Sequence, residues 1–333
     1  MQIYYYCTII IFILVYLFFL KKFLVNTIKD NHQKFTTNYI PPLMGGYFII
    51  LVFLFNEQVT VLEKILFFTI FLSGALSDNK IINSPVSRLI FQILISLIFV
   101  EFANLTITNT RILILDNFLN NIYFNLFFCV FCLTILINGT NFIDGLNGLV
   151  SGYYLIVLSI LLYLDILPNI ADKKFIELLI FVLGLLFIIN LLNKIFLGDS
   201  GSYLLGFSFG IFLISIYSEN LNISPYFIIL LIWYPCFENL FSISRKLFSK
   251  ISPLSPDNSH LHQILFLAIQ NKTNLKKNFS NNLGSLIILF YNLFILFLGS
   301  QDISNTKYQI FLLLINVFTY LLSFKFLKKL ILN

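Results

Sequence analysis

Residues 196–202 read F-L-G-D-S-G-S, a single carboxylate, Asp199, set between two glycines at the end of an apolar run. Gly198 and Gly201 permit a tight backbone turn, and Ser200 and Ser202 add hydroxyls beside the acid. A second apolar run, 203–217, follows at once. The stretch therefore reads as a junction between two membrane helices, where an acid can hold a divalent cation and a phosphate. A glycine-rich turn whose Asp caps the next helix fits the same residues. What separates the two readings is how many similar junctions the chain contains.

The chain has 333 residues, 59% of them hydrophobic and 11% charged, with a mean hydropathy of +0.91. These values exclude an ordinary soluble protein, and apolar runs of this length suit helices crossing about 30 Å of hydrocarbon. Short alternating strands, the mark of an outer-membrane barrel, are absent from the pattern. The expectation is an all-α polytopic membrane protein forming a single domain. Eleven spans are predicted, at 3–20, 41–55, 60–76, 86–103, 122–138, 149–167, 175–192, 201–217, 225–242, 283–299 and 308–326. The first run has no basic segment before it and no small-residue cleavage site, so it reads as a retained helix. The four cysteines lie in apolar runs without a ligand partner, and a metal or redox role for them is not expected. The net charge of +6 requires no nucleic acid. Lys and Arg flanking membrane helices produce it, and their bias places the C-terminus in the cytoplasm and the N-terminus outside.

With that orientation, the loops at 21–40, 77–85, 139–148, 193–200 and 243–282 share the cytoplasmic face, and they hold the chemically capable residues. Residues 74–88, G-A-L-S-D-N-K-I-I-N-S-P-V-S-R, end a helix at Asp78 and restart one at Pro85, with Arg88 facing the headgroup layer. Residues 138–148, N-G-T-N-F-I-D-G-L-N-G, repeat Asn138, Asn141 and Asp144 at three-residue spacing, which puts them on one helix face. Such polar density between spans is costly unless it serves a wet, charged site, although a glycine-rich hairpin is the plainer reading. Residues 252–263, S-P-L-S-P-D-N-S-H-L-H-Q, carry His260 and His262 behind Arg245, Lys246 and Lys250, a set suited to a diphosphate. Residues 259–270 have the spacing of a surface helix. Glu238, near the inner end of its span, is expected either to be functional or to pair with Arg245, which shares its helix face at i+7. Asp78, Asp144 and Asp199 would repel one another if gathered without a counter-ion, and Mg²⁺ is the natural one, with Mn²⁺ as a substitute.

Taken in order, these motifs resemble the polyprenyl-phosphate N-acetylhexosamine-1-phosphate transferases, over about residues 32–263. Residues 41–46, P-P-L-M-G-G, look like the family's proline and double-glycine start of a span, with His32 and Lys34 just before it. Asp78-Asn79 stands at the acidic pair, 141–148 at the Asn-x-x-Asp-Gly motif, 196–202 at the Gly-Asp-x-Gly-Ser motif and 256–263 at the histidine motif. Asn79, Asn147 and Gln263 depart from it, each replacing an acid or a histidine. The histidine loop is similar to that of the branch initiating O-antigen and related surface glycans. The resemblance implies transfer of a sugar 1-phosphate from a UDP-sugar to undecaprenyl phosphate at the cytoplasmic face of a bacterial inner membrane, and it is compatible with a homodimer. It implies catalytic roles for Asp78, Asp144, Asp199, His260 and His262, and Mg²⁺ held by Asp199 and Asn141. Substrate contacts would come from Lys34, Asn79, Asn138, Asn141, Asn190 and Arg245. A secondary transporter and an inactive homologue remain as rival readings, the latter because of Asn79 and Asn147.

Overall fold

The computed structural model describes residues 41–167, 173–253, 255 and 259–332, with isolated positions 9, 13 and 16. The expected span 3–20 and the 21–40 loop with His32 and Lys34 lie outside the described residues. Among the described residues there is no β-strand, and thirteen helices follow in order. They are α1 Gly45–Leu54, α2 Val61–Asp78, α3 Pro85–Phe102, α4 Leu113–Leu119, α5 Ile122–Ile143, α6 Leu149–Tyr163, α7 Lys173–Leu191, α8 Gly198–Glu219, α9 Pro225–Leu231, α10 Trp233–Phe248, α11 Leu261–Lys272, α12 Lys277–Gly299 and α13 Thr306–Leu332.

Helix starts follow local chemistry. Thr60 and Glu63 form a reciprocal capping box at α2, where the Glu63 backbone N–H donates to Thr60 Oγ1 and the Thr60 N–H donates to Glu63 Oε2 at 2.8 Å. Ser84 caps α3 with Pro85 in its first turn, as the sequence predicts. Asn121 caps α5, accepting from the N–H groups of Tyr123 and Phe124.

Among the described residues six helices are long and apolar enough to cross a membrane, α3, α5, α7, α8, α12 and α13, and α9 with α10 would make a seventh as one broken span. The predicted span 3–20 lies outside the described residues, so the expected eleven are not all tested; of the others, α1 and α6 are short for a crossing and α2 carries Glu63, Lys64 and Asp78. Large apolar side chains stay exposed along the outer helices, among them Ile90 and Leu94 on α3, Phe127 and Phe131 on α5 and Phe294 on α12. Unlike scattered surface hydrophobes, such faces need an apolar solvent.

Helix α8 forms the centre. Almost every residue from Gly198 to Tyr217 is buried, and α1, α2 and α5 pack around it. Phe207 meets Phe67 of α2 and Phe99 of α3 edge to face, at 5.7 and 5.3 Å between ring centres.

Three expectations change. Residues 225–242 do not form one straight span: α9 and α10 meet at 80°. Pro235 has no N–H for the carbonyl of Leu231 and its ring would clash there. That carbonyl accepts instead from Tyr153 Oη at 3.0 Å. The expected loop 104–121 contains α4. The expected loop 243–282 is largely helical, with α10 running on to Phe248, α11 close to the predicted surface helix, and α12 starting at Lys277.

Candidate active site

The site is built where α8 begins. The backbone of residues 42–46 runs alongside 196–197: the Phe196 N–H donates to Pro42 O, and the Met44 and Gly45 N–H groups both donate to Phe196 O, each at 3.0 Å. The P-P-L-M-G-G stretch thus clamps the F-L-G-D-S-G-S turn. Gly198 has φ +77°, a left-handed conformation that favours glycine, and a Cβ there would lie 2.7 Å from the Asp78 carboxylate. Gly74 of α2 crosses so close that its Cβ would lie 2.5 Å from Asp199 O and Ser200 Cα.

This close approach brings the acids to a helix N-terminus, where unpaired N–H groups and the helix dipole favour negative charge. Asp78 accepts from the N–H of Asp199 at 2.8 Å and of Ser200 at 3.1 Å. Asp144, the residue that closes α5, accepts from the N–H of Gly198. Asp199 points the other way. Its Oδ2 accepts from Ser77 Oγ at 2.5 Å and forms an ion pair with Arg88 Nη1 at 3.3 Å.

All three predicted acids therefore meet, and their charges act on Asp144 and Asp78. Burial first, then the charges of Asp199 and Asp78, hold the Asp144 carboxyl well above the usual carboxylate range. Asp78, beyond the apolar part of α2, is pushed up by burial and then by Asp199, against the opposing pull of the two N–H donors.

The remaining predicted residues divide. Asn141 joins the site, its Oδ1 accepting from Ser202 Oγ at 3.1 Å. Asn79 closes α2 and turns its Nδ2 back onto Ala75 O at 2.8 Å, so an amide stands where it serves as a helix cap. Asn138 shares the α5 face but donates to Gln92 Oε1 of α3 at 2.7 Å, tying two helices together. Asn190 braces the loops: its Oδ1 accepts from the Gly148 N–H and its Nδ2 donates to Ile195 O at 2.5 Å. Asn147 is buried, its N–H donating to Asn281 Oδ1 at 2.7 Å. Arg245 donates to Ser259 O at 2.6 Å and lies over the rings of Phe241 and Phe324, ordering the histidine loop.

The histidines reach the site through the 141–148 loop. His260 lies against Phe142 and stacks on His262, with ring centres 5.2 and 5.7 Å apart. His262 is fully buried and sits so close to Gly145 that a Cβ there would be 2.3 Å from Nε2. Burial holds this imidazole neutral, down to about 3, with Glu238 opposing the shift and His260 adding to it. His262 is therefore no cation for a phosphate at neutral pH. Gln263, at the third histidine position, accepts from the His260 N–H at 3.4 Å. The expected Glu238–Arg245 pair gives way to Glu238–His260, at 3.0 Å.

Sequence reasoning passed over Arg88 and Ser77 as site residues. Arg88 lay within the quoted 74–88 stretch, and its place one turn inside α3, opposite an acid-bearing turn, was the available signal.

Among the described residues no three His, Cys, Asp or Glu side chains enclose a cation on their own. The donors fit Mg²⁺ in another way. They are hard oxygens at a helix end, and Mg²⁺ takes one or two carboxylates and completes its shell with water and substrate phosphates.

Residues 62–217, from α2 to the end of α8, match the model of glycosyl transferase family 4, a span that contains all three acids. The chain is 34% identical over 131 residues to a probable undecaprenyl-phosphate N-acetylglucosaminyl 1-phosphate transferase of Bacillus subtilis (strain 168), covering 38% of this chain and 37% of that protein. It is 27% identical over 202 residues to the undecaprenyl-phosphate alpha-N-acetylglucosaminyl 1-phosphate transferase of Escherichia coli O157:H7, covering 59% and 55%. The corresponding Yersinia pestis protein is 30% identical over 139 residues, covering 40% and 38%. The chain thus spans about half or less of the length of these curated relatives. The likeness to glycosyl transferase family 4 thus covers residues 62–217, a little under half of the chain.

Proposed function

We propose that this protein transfers an N-acetylhexosamine 1-phosphate from a UDP-sugar to undecaprenyl phosphate, as the first step of a surface glycan such as O-antigen. The observation that carries the reading is the meeting of Asp78, Asp144 and Asp199 at the N-terminus of α8. The similarity to the named transferases supports the reaction class. A phosphate oxygen of the lipid attacks the β-phosphorus of the UDP-sugar and forms a new P–O bond. The bond from that phosphorus to the bridging oxygen breaks, and UMP leaves with the oxygen and its electron pair.

Asp199 and Asn141 would hold Mg²⁺, which when bound neutralises diphosphate charge and polarises the attacked phosphorus. Asp78 takes the proton from, or orients, the lipid phosphate. Asp144 completes the polar wall, and Arg88 sets the Asp199 carboxylate and adds positive charge where it accumulates in transfer. His260 faces the substrate phosphates, and Lys34, beyond the described residues, contacts the lipid phosphate. The site works at the cytoplasmic face of a bacterial inner membrane.

Purified protein incubated with undecaprenyl phosphate, Mg²⁺ and a panel of UDP-sugars should release UMP in step with a lipid diphosphosugar. Asp199→Asn should lower that rate by at least about a thousandfold while leaving membrane insertion unchanged. Nucleotide-sugar uptake into proteoliposomes without UMP release would overturn the transferase reading in favour of a transporter.

A further inference from the structure

Glu238 is wholly buried on α10, in a part of the chain otherwise read as membrane-spanning. A carboxylate there is expensive, and it persists only where it holds something in place. Its Oε1 accepts from His260 Nδ1 at 3.0 Å and from the Leu261 N–H at 3.2 Å, so one oxygen grips both the imidazole and the first turn of α11. The same imidazole leans on Phe142, which stands between Asn141 and Asp144. Glu238 therefore reaches the acid-bearing loop through one intermediate ring.

A carboxylate on Nδ1 makes that nitrogen the donor and leaves Nε2 as an acceptor, able to take a hydrogen bond or proton from a protonated phosphate oxygen or a substrate hydroxyl. We propose that Glu238 is a positioning residue for His260, fixing its tautomer and rotamer so that Nε2 serves the substrate. The inference rests on the transferase reading above. The competing role is structural, since the Leu261 contact alone would make Glu238 a cap for α11.

Two variants separate these roles. Glu238→Met removes the acceptor at similar volume, and Glu238→Gln keeps a neutral acceptor. With only three histidines in the chain, ¹⁵N-histidine NMR of the full-length protein in detergent resolves each ring. The native protein should show one imidazole locked with hydrogen on Nδ1. Glu238→Met should scramble that tautomer and lower kcat about 10- to 100-fold with KM within about twofold, and Glu238→Gln should restore part of both. If Glu238→Met fails to fold, Glu238→Gln must still lower kcat at unchanged KM. Unaltered histidine signals, or activity lost only in proportion to melting temperature, would overturn the proposal. Absence of UMP release by the native protein would instead sink the transferase reading, and the NMR comparison would still decide whether Glu238 sets the tautomer.

Discussion

The Ser77 hydroxyl and the Arg88 guanidinium hold the Asp199 carboxylate, while the N–H groups of its own turn are given to Asp78. That division leaves Asp199 bound by side chains that substrate or cation can displace, whereas Asp78 is anchored to backbone. Arg88→Ala should therefore reduce kcat/KM for UMP release about a hundredfold. Its stability cost should stay within about 1 kcal/mol, because the pair is partly exposed to solvent. Parallel assays and thermal melts check both halves. His262 gives a prediction of a different kind. Its folded form takes up a proton only near pH 3, against 6.5 for the ordinary imidazole. The stability it contributes is complete above about pH 6.5 and is lost as pH falls toward 3, because the unfolded chain binds a proton that the folded one refuses. Between pH 6.5 and 5 that amounts to roughly 2 kcal/mol. Melting temperatures in detergent should decline over this window, and His262→Phe, which keeps a flat ring, should decline less. At this scale the three acids were legible because each sits in a glycine-rich junction, whose polar residues stand out against apolar spans. What Asn79, Asn138 and Asn190 do was not, because an amide that closes a helix or ties two loops has the same sequence signature as one that binds a ligand.

The first turn of α8 owes its place to close backbone approaches at glycines. At Gly74 and Gly46, α2 and α1 come within van der Waals distance of the Asp199–Gly201 backbone. Gly74→Ala would drive a methyl group into that backbone, which cannot yield as a flexible side chain would. The expected cost is about 1–3 kcal/mol of stability, together with a large fall in activity as the first turn of α8 shifts away from Asp78. Gly184→Ala of α7, where a Cβ meets nothing within 4 Å, serves as the control and should change neither activity nor melting temperature appreciably. Helix positions were readable from runs of apolar residues, and the start of α3 from Pro85. The break between α9 and α10 was missed although Pro235 was in view. Hydropathy integrates over a whole run and is blind to the carbonyl that a proline leaves unpaired.

Across the described residues, loops gather at two ends. At one end lie 79–84, 144–148, 193–197, 249–253 and 259–260, knitted to the site by Asp78, Asn190 and His260. At the other, Arg111 donates to Ser304 O at 3.0 Å and to Asn222 O and Ile223 O at 3.4 Å, closing three loops together. The positive-inside rule predicts that the site end, where Lys80, Lys194, Lys246 and Lys250 crowd, faces the cytoplasm. Single cysteines placed in a background without the native four, at Lys194→Cys and Ser249→Cys, should resist a membrane-impermeant maleimide in intact cells and react after permeabilisation. Asn222→Cys and Ser304→Cys, exposed at the Arg111 end, should react in intact cells. One crossing by α8 separates 194 from 222, so the two positions cannot label alike if the chain spans the bilayer there. Labelling of Lys194→Cys from outside would place the three acids away from cytoplasmic nucleotide, and a UDP-sugar could then not be the donor.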